Sequence, residues 1–114
     1  MLGGWIGRMF GGGAAGPGFA EVKAASETGS AHLVDVREPG EFAGGHIPGA
    51  INLPLSRFDV TALPNDKPVI LLCLSGARSA RALGMCKSTG RNDIANYSGG
   101  MSGWRSSGGA IARR

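Results

Sequence analysis

The sequence has few cysteines. Only Cys73 and Cys86 occur among 114 residues, and both fall in one predicted strand–helix unit rather than at the spacings of a disulfide framework. A disulfide-stapled fold is therefore excluded, and we expect a reducing, cytoplasmic setting. A chain of this length buries about two-thirds of the surface that its unfolded form exposes, so a single core suffices to hold the fold together.

The sequence also has few long apolar runs, few aromatic residues and, from Cys73 onward, few acidic residues. No run reaches the ~18 apolar residues needed to span a bilayer, so no transmembrane segment is expected. From Cys73 onward there are seven basic residues against Asp93 alone, within a net charge of +4. This distribution favours a small anionic substrate or an acidic partner, or else reflects solvated helix charges. Since no basic run is interleaved with stacking aromatics, we expect no nucleic acid partner.

Residues 1–16, "MLGGWIGRMFGGGAAG", stand apart from the rest of the chain. Apolar side chains recur at helical spacing from Leu2 to Phe10, but interior glycines each cost a helix about 1 kcal/mol relative to alanine. We therefore expect a flexible glycine-rich leader over residues 1–16 and one domain over residues 17–114. The alternative is an apolar tail that folds on a partner or a membrane surface.

The first half of the domain alternates between helical and extended patterns. "FAEVKAASETG" predicts a short helix closed by Gly29, although no Ser, Thr, Asp or Asn stands at its N-terminal cap. "HLVDV" predicts a strand, and the glycines and prolines of "EPGEFAGGHIPGA" leave room for at most one helical turn. "AINLP" predicts a second short strand, and "LSRFDVTALPND" another helical turn or two.

The second half contains the strongest strand. "KPVILLC" has no polar alternation, which is typical of a central parallel strand buried on both faces. A helix is predicted from Ala77 to Ser88, then "DIANYSGG" as a last strand, and "GMSGWRSSGG" as a turn back. Strands that alternate with helices predict an α/β fold, a parallel sheet with helices on both faces. Ligands bind such sheets beyond the carboxyl ends of the strands.

Cys73 stands at one of those strand ends, followed by the loop "CLSGAR" (Cys73–Arg78, the thiol loop). A loop that enters a helix N-terminus offers unpaired N–H groups and a positive dipole end, and both stabilise a thiolate. Gly76 lets successive amides point inward as an anion-binding nest, and Arg78 adds a positive charge. The alternative is that Cys73 closes the core strand as a buried apolar residue.

Two sequence blocks carry a family resemblance: "LVDVREPGEFAGGHIPGAINLP" (Leu33–Pro54) and "CLSGARS" (Cys73–Ser79), supported by "YSGGMSGW". With them, residues 19–108 resemble a single-domain rhodanese, a thiosulfate sulfurtransferase. The resemblance implies a five-stranded parallel sheet in a three-layer α/β/α arrangement.

The resemblance also implies a chemistry. A thiol at Cys73 would take a sulfane sulfur from thiosulfate or another persulfide donor and pass it, as a persulfide, to a thiol, cyanide or protein acceptor. No cofactor or metal is implied. Substrate-binding positions would be those of the loop, and supporting positions those beside it: Leu74, Ser75, Gly76, Ala77 and Arg78, then Asp35, Arg37, Glu38 and Ser79.

Several roles stay open at this point. Arg78 either faces the donor or pairs with a carboxylate such as Asp35 or Glu38. Arg37 and Glu41 are expected to be structural, and His46 in "GHIPGA" architectural rather than a base. Cys86 lies on the apolar stripe of its helix, so we expect a core residue and not a resolving thiol.

Rival functions share the same thiol. Cysteine phosphatases of the cell-cycle type resemble rhodaneses in fold but place five residues between cysteine and arginine, whereas this chain has four, Leu74 to Ala77. The spacing favours sulfur transfer over phosphoester hydrolysis. A persulfide carrier or a binding module for a partner protein are the remaining alternatives, and the neutral side chains of Leu74, Ser75 and Ala77 suggest that thiosulfate is a surrogate donor.

Overall fold

The computed structural model describes residues 16–113. The helices are α1 (Phe19–Thr28), α2 (Pro39–Ala43), α3 (Ala77–Lys87) and α4 (Gly100–Ser106), and the strands are β1 (His32–Asp35), β2 (Ile51–Asn52), β3 (Val69–Leu72) and β4 (Ile94–Asn96). Two short 3-10 helices, Leu55–Arg57 and Val60–Ala62, lie between β2 and β3. The predicted leader lies outside the described residues.

All strand pairs of the sheet are parallel, in the order β2-β1-β3-β4. In the register, Leu33 of β1 lies beside Ile70 of β3, which lies beside Ala95 of β4. The parallel α/β class is confirmed, but the described residues supply four strands and not the predicted five. Directly before α1 the chain is Gly-Pro-Gly, and a proline cannot donate to a strand ladder.

Side chains of β3 point alternately to the two faces of the sheet, and each face is covered. Ile70 and Leu72 pack into a cluster with residues of α1, α2 and α4, whereas Val69 and Leu71 pack with residues of α3 and of the segment that holds the 3-10 helices. All four residues of β3 are buried. This confirms the three-layer arrangement and places the carboxyl end of β3 at the centre of the sheet.

Helix α1 follows its prediction. Gly29 ends it at φ 73°, in the left-handed region that glycine adopts without a steric penalty. At the other end, where the sequence offers no side-chain cap, the Gly18 N–H donates to Glu21 Oε1 at 2.9 Å. A glutamate in the first turn thus satisfies a backbone donor from inside the helix.

Helix α4 was not expected, because "GMSGWRSSGG" was predicted to be a turn. Glycines and serines have low helix propensity. Tertiary packing supplies the stability instead: Met101 and Trp104, three residues apart, are both buried. The Trp104 ring lies 5.0 Å from that of Phe19 in α1, and its Nε1–H donates to the Ala110 carbonyl at 2.7 Å.

A buried ion pair holds the turn after β1. The guanidinium of Arg37 donates to both carboxylate oxygens of Asp35, with its shortest bond at 2.8 Å, and to the Gly45 carbonyl at 2.7 Å. Asn52 of β2 donates to the backbone carbonyls of Asp35 and Arg37. The pair therefore ties the end of β1 to the segment that follows α2, while Asn52 ties the same turn to β2.

None of the described helices combines the length and the apolar character that crossing a membrane would require.

Removing one member of the buried pair should destabilise the fold strongly. Asp35→Ala leaves Arg37 charged, buried and without its carboxylate, which should lower the free energy of unfolding by about 3–5 kcal/mol. Urea denaturation followed by circular dichroism measures the loss. The control is Glu27→Ala, which breaks the exposed Lys23–Glu27 pair (2.7 Å) and should change stability little. Equal effects of the two substitutions would contradict a structural role for the Asp35–Arg37 pair.

Candidate active site

The sulfur of Cys73 lies directly beyond the end of β3 and accepts hydrogen bonds from the loop that follows. The Gly76 N–H donates to Sγ at 3.0 Å, and the Ser79 hydroxyl lies 3.4 Å from Sγ. Cys73 is 1% exposed and Ser79 is fully buried. The sequence thus places a thiol at the carboxyl end of the central strand, where parallel sheets bind ligands.

Burial and hydrogen bonding act on this thiol in opposite directions. Burial by itself raises the pKa of Cys73, because it disfavours the charged thiolate. The hydroxyl and N–H of Ser79 and the N–H groups of Gly76 and Ser75 lower it, and together they outweigh the burial, so the pKa lies below the ordinary value of a thiol. Helix α3 begins at Ala77, so its positive dipole end also faces the loop.

Gly76 is required by both backbone angle and space. Its φ of 100° is left-handed, and a Cβ there would lie 2.7 Å from the carbonyl oxygen of Ser98. The residue that turns its N–H toward the sulfur therefore also packs against the chain that follows β4. Any other residue would have to displace either the thiol loop or that segment.

The segment from the end of β4 into α4 binds the carbonyl groups of the thiol loop. The N–H of Met101 donates to the Cys73 carbonyl at 2.8 Å, and that of Ser102 to the Leu74 carbonyl at 3.0 Å. Gly100 lies at φ 59°, where a Cβ would overlap both carbonyl oxygens. The peptide group of the Leu74 carbonyl also carries the Ser75 N–H, which is one of the donors that lower the pKa of Cys73.

Sequence reasoning missed this second half of the site. In the sequence, "YSGGMSGW" only supports the resemblance, although its two adjacent glycines are typical of a close backbone approach. The side chain of Asn96, at the end of β4, was missed as well. Its Nδ2 donates to the Gly76 carbonyl at 3.4 Å.

Arg78 pairs with a carboxylate, but not with the ones expected. Its Nη1 and Nη2 donate to Oε1 and Oε2 of Glu41 at 2.8 and 3.1 Å, and neither Asp35 nor Glu38 is the partner. The Arg78 bond, partly opposed by desolvation, lowers the pKa of Glu41 to about 2. The partners are about one-third exposed, so water and salt screen the pair. Arg78 also interacts electrostatically with Cys73.

The other expected supporting residues lie in the framework. Asp35 and Arg37 form the buried pair at the end of β1. Glu38 caps α2, where its N–H donates to the Glu41 carboxylate at 3.0 Å, and its own carboxylate accepts from Ser56 at 2.9 Å. None of these groups is hydrogen-bonded to the Cys73 sulfur.

His46 is held by its surroundings. Its Nδ1 donates to the Phe42 carbonyl at 2.8 Å, and its ring stacks on that of Phe42 with centroids 3.8 Å apart. Its backbone exchanges hydrogen bonds with Ala112. These contacts fit the expected architectural role.

Cys86 is a free, buried thiol of the core cluster on the α3 side of the sheet, and burial raises its pKa. The pKa values of the two cysteines are thus shifted in opposite directions, because the Cys73 thiol accepts hydrogen bonds in its loop whereas the Cys86 thiol is packed among apolar side chains.

The side chains around the mouth of the loop are neutral and open to solvent. Leu74, Ser75 and Ala77 are exposed, Leu74 at 40%. Within residues 16–113 no three His, Cys, Asp or Glu side chains converge in a way that could hold a metal ion. The site offers a thiol, a nest of amides and a helix N-terminus, which together suit a nucleophilic sulfur and an anion bound to it.

Comparison with known proteins gives consistent results. Residues 19–107 match the family model of the rhodanese-like domain. The uncharacterised Bacillus subtilis protein YqhL is 46% identical over 76 residues, which cover 65% of this chain and 60% of YqhL. The thiosulfate:glutathione sulfurtransferase of Saccharomyces cerevisiae is 37% identical over 92 residues, 68% of this chain and 66% of that protein. This chain thus spans two-thirds or less of the length of both relatives.

Among solved structures, a rhodanese-related protein from Thermoplasma volcanium aligns with a TM-score of 0.75 at 29% identity, over 85% of this chain and 96% of that one. The family model covers well over half of the sequence, including both β1 and the thiol loop. The chain therefore belongs to the rhodanese-like domain family.

Proposed function

We propose that this protein is a sulfurtransferase that moves a sulfane sulfur from an anionic donor to a thiol or cyanide acceptor through a persulfide on Cys73. The observation that carries the proposal is the sulfur of Cys73, buried at the end of β3 and hydrogen-bonded by Gly76 and Ser79. These bonds favour the thiolate, which is the nucleophilic form. The yeast relative named a sulfurtransferase supports the same class of reaction.

Two displacements complete the proposed cycle. The Cys73 thiolate attacks the outer sulfur of thiosulfate, the S–S bond of the donor breaks, and sulfite leaves with the electron pair. The persulfide then carries the negative charge on its outer sulfur, among the inward-facing amides. An acceptor thiolate or cyanide attacks that outer sulfur and the Cys73 thiolate leaves, which regenerates the enzyme without a general base or an external oxidant.

The donor is proposed to be a persulfide, with thiosulfate as a slower surrogate. Thiosulfate is a dianion, yet the exposed side chains of the loop are neutral and Arg78 is bound to Glu41. The amides and the helix dipole are then the main attraction for an anion, which suits a singly charged persulfide better. The name of the yeast relative supports a thiol such as glutathione as the acceptor and keeps thiosulfate among the donors to test.

A protein acceptor is the second candidate, and the exposed side chain of Leu74 beside the thiol favours it. In that case the chain acts as a persulfide carrier, and the same Cys73 chemistry delivers sulfur to a partner. Both free thiols would need a reducing compartment, so a cytoplasmic setting is part of this proposal.

Brief incubation with thiosulfate or a small persulfide should leave Cys73 heavier by one sulfur atom. Intact-protein mass spectrometry measures the adduct, and a thiol reductant should remove it. Cys73→Ser should form no adduct and no thiocyanate from cyanide, because one thiol carries the transferred sulfur. Cys86→Ala is the matched cysteine control and should load normally.

The same sample should not hydrolyse an aryl phosphate, since the four-residue spacing leaves a smaller cradle than a phosphatase loop. Phosphate release without any persulfide adduct would overturn the sulfurtransferase proposal. An adduct from a persulfide but not from thiosulfate would support the proposed donor preference.

The reactivity of Cys73 should begin at a lower pH than that of an ordinary thiol, because its pKa is lowered and the thiolate persists as pH falls. Ser79→Ala removes the hydroxyl donor. It should raise the pH midpoint of Cys73 alkylation by about one to two units, which corresponds to the free energy of a hydrogen bond to a charged group. Iodoacetamide alkylation of Cys73 against pH, followed by peptide mass spectrometry, measures the midpoint.

Ser88→Ala is the control for this shift, because Ser88 lies exposed just beyond the other end of α3 and its hydroxyl donates to the Met85 carbonyl. An unchanged midpoint in Ser79→Ala would show that the hydroxyl does not act on the sulfur.

Freeing Arg78 should favour thiosulfate. Glu41→Gln removes the charge that pairs with Arg78, so the guanidinium can attract the dianion and the rate of thiosulfate loading should rise severalfold, whereas loading from a neutral aryl or alkyl polysulfide should not. Arg78→Ala should lower stability by at most about 1 kcal/mol, as expected for a partly exposed pair. Complete loss of loading in Arg78→Ala, with no gain in Glu41→Gln, would instead place the guanidinium on the donor.

A further inference from the structure

Three donors converge on the carbonyl oxygen of Gly76. They are the N–H of Ala80 at 3.0 Å, the hydroxyl of Ser79 at 3.2 Å and the Nδ2 of Asn96 at 3.4 Å. A carbonyl oxygen has two lone pairs, and the Ala80 bond is the first i to i+4 bond of α3. Ser79 and Asn96 therefore compete for the remaining acceptor site.

The hydroxyl of Ser79 has a choice of acceptors. It lies 3.4 Å from the Cys73 sulfur and 3.2 Å from the Gly76 oxygen, and Ser79 is fully buried. A hydroxyl carries one proton, so it can donate to only one of the two at a time. A second donor bound to the Gly76 oxygen would therefore increase the fraction of time that the Ser79 hydroxyl donates to the Cys73 sulfur.

Asn96 is an unusual residue for the place it occupies. It ends β4, between the thiol loop and the chain before α4, and its Oδ1 is buried with no hydrogen-bond partner among residues 16–113. A buried polar atom left unpaired costs about 1–3 kcal/mol, and a leucine of similar volume would avoid that cost. Stability of the strand therefore gives no reason for an amide here, which leaves the Nδ2 bond to Gly76 as its contribution.

We propose that Asn96 is a positioning residue for sulfur transfer, which occupies the Gly76 carbonyl and so directs the Ser79 hydroxyl proton onto the Cys73 sulfur. This inference rests on the proposed function, because it gives Asn96 a task in the cycle of Cys73.

The task differs between the two halves of the cycle. In the free enzyme the full negative charge lies on Sγ of Cys73, which makes it the stronger acceptor for the Ser79 proton. In the persulfide the charge moves to the outer sulfur, and Sγ accepts poorly. When the acceptor attacks, charge returns to Sγ, and a hydroxyl already kept off the Gly76 oxygen stabilises it. A thiolate that is better stabilised also leaves faster.

The charged groups near this network stay the same when Asn96 is changed. Arg78 of α3 interacts electrostatically with Cys73 and is paired with Glu41 of α2. Asp35, the last residue of β1, acts on Arg78 and is paired with Arg37. On the β4 side the neighbouring titratable group is Tyr97, whose pKa burial raises, so it is uncharged at neutral pH. A change in the titration of Cys73 on substitution of Asn96 thus reports the hydrogen-bond network.

The test is a double-mutant cycle between Asn96→Leu and Ser79→Ala, with the pH midpoint of Cys73 alkylation as the readout. Asn96→Leu alone should raise the midpoint by about half to one unit, the worth of one neutral hydrogen bond. In the Ser79→Ala background it should add nothing, because no hydroxyl remains to redirect. Asn92→Ala, an exposed asparagine before the same strand, should leave the midpoint unchanged.

Asn96→Ser, too short to reach the Gly76 oxygen, replaces the leucine variant if that variant fails to fold by circular dichroism. An unchanged midpoint, or an equal shift in the unaltered and Ser79→Ala backgrounds, would overturn the inference. If Asn96 had only a structural role, the effects of the two substitutions on the midpoint would be additive. The persulfide adduct of the unaltered protein is measured in parallel. If the two substitutions have non-additive effects on the midpoint but no persulfide adduct forms, the proposed function alone is refuted. If the adduct forms but the effects are additive, the role of Asn96 alone is refuted.

Discussion

The direction of the carbonyl groups in the thiol loop is the constraint on which the site depends. Peptide groups are planar, so a carbonyl that points away from the sulfur brings the N–H of the next residue round toward it. Met101 and Ser102 at the start of α4 bind the carbonyls of Cys73 and Leu74, and the peptide group of the Leu74 carbonyl carries the Ser75 N–H. That N–H lowers the pKa of Cys73 together with the Gly76 N–H, which donates to the sulfur. A helix packed on one face of the sheet thereby sets the chemistry of a thiol whose side chain packs on the other.

The sequence predicts the parts of this arrangement that depend on short stretches of chain. Four consecutive apolar residues predict the buried strand β3, and the loop "CLSGAR" predicts a thiol that faces amides. It did not predict α4, whose glycines lower helix propensity while the burial of Met101 and Trp104 stabilises the helix. Nor did it identify Glu41 as the partner of Arg78, because these residues are 37 positions apart and several carboxylates were equally eligible. Long-range pairing, unlike periodicity, leaves no local pattern.

The two arginine pairs explain why the site has little free positive charge. Arg37 is buried on Asp35, where it ties β1 to its neighbours, and Arg78 is held by Glu41 at the surface. Stabilisation of an anion at Cys73 is then left mainly to the Ser79 hydroxyl, the backbone amides of the loop and the N-terminus of α3. Amides fixed in a loop act over a short range and in set directions, so they favour an anion attached to the sulfur over a free anion that diffuses nearby.

The opposing effects on the Cys73 pKa suit a group that must both attack and leave. A thiolate stabilised without limit would leave readily but attack slowly, because nucleophilicity falls as pKa falls. Burial of Cys73 opposes the hydrogen bonds of Ser79 and Gly76, so it limits how far they lower the pKa, and it also excludes water from the sulfur. The hydroxyl of Ser79 is the adjustable member of this set, since backbone amides cannot rotate away while a hydroxyl can. Asn96 and Ser79 share the Gly76 carbonyl as an acceptor, so Asn96 can control where the Ser79 hydroxyl proton is donated. Through that proton the fold can adjust how well Cys73 acts as a nucleophile relative to how well it acts as a leaving group.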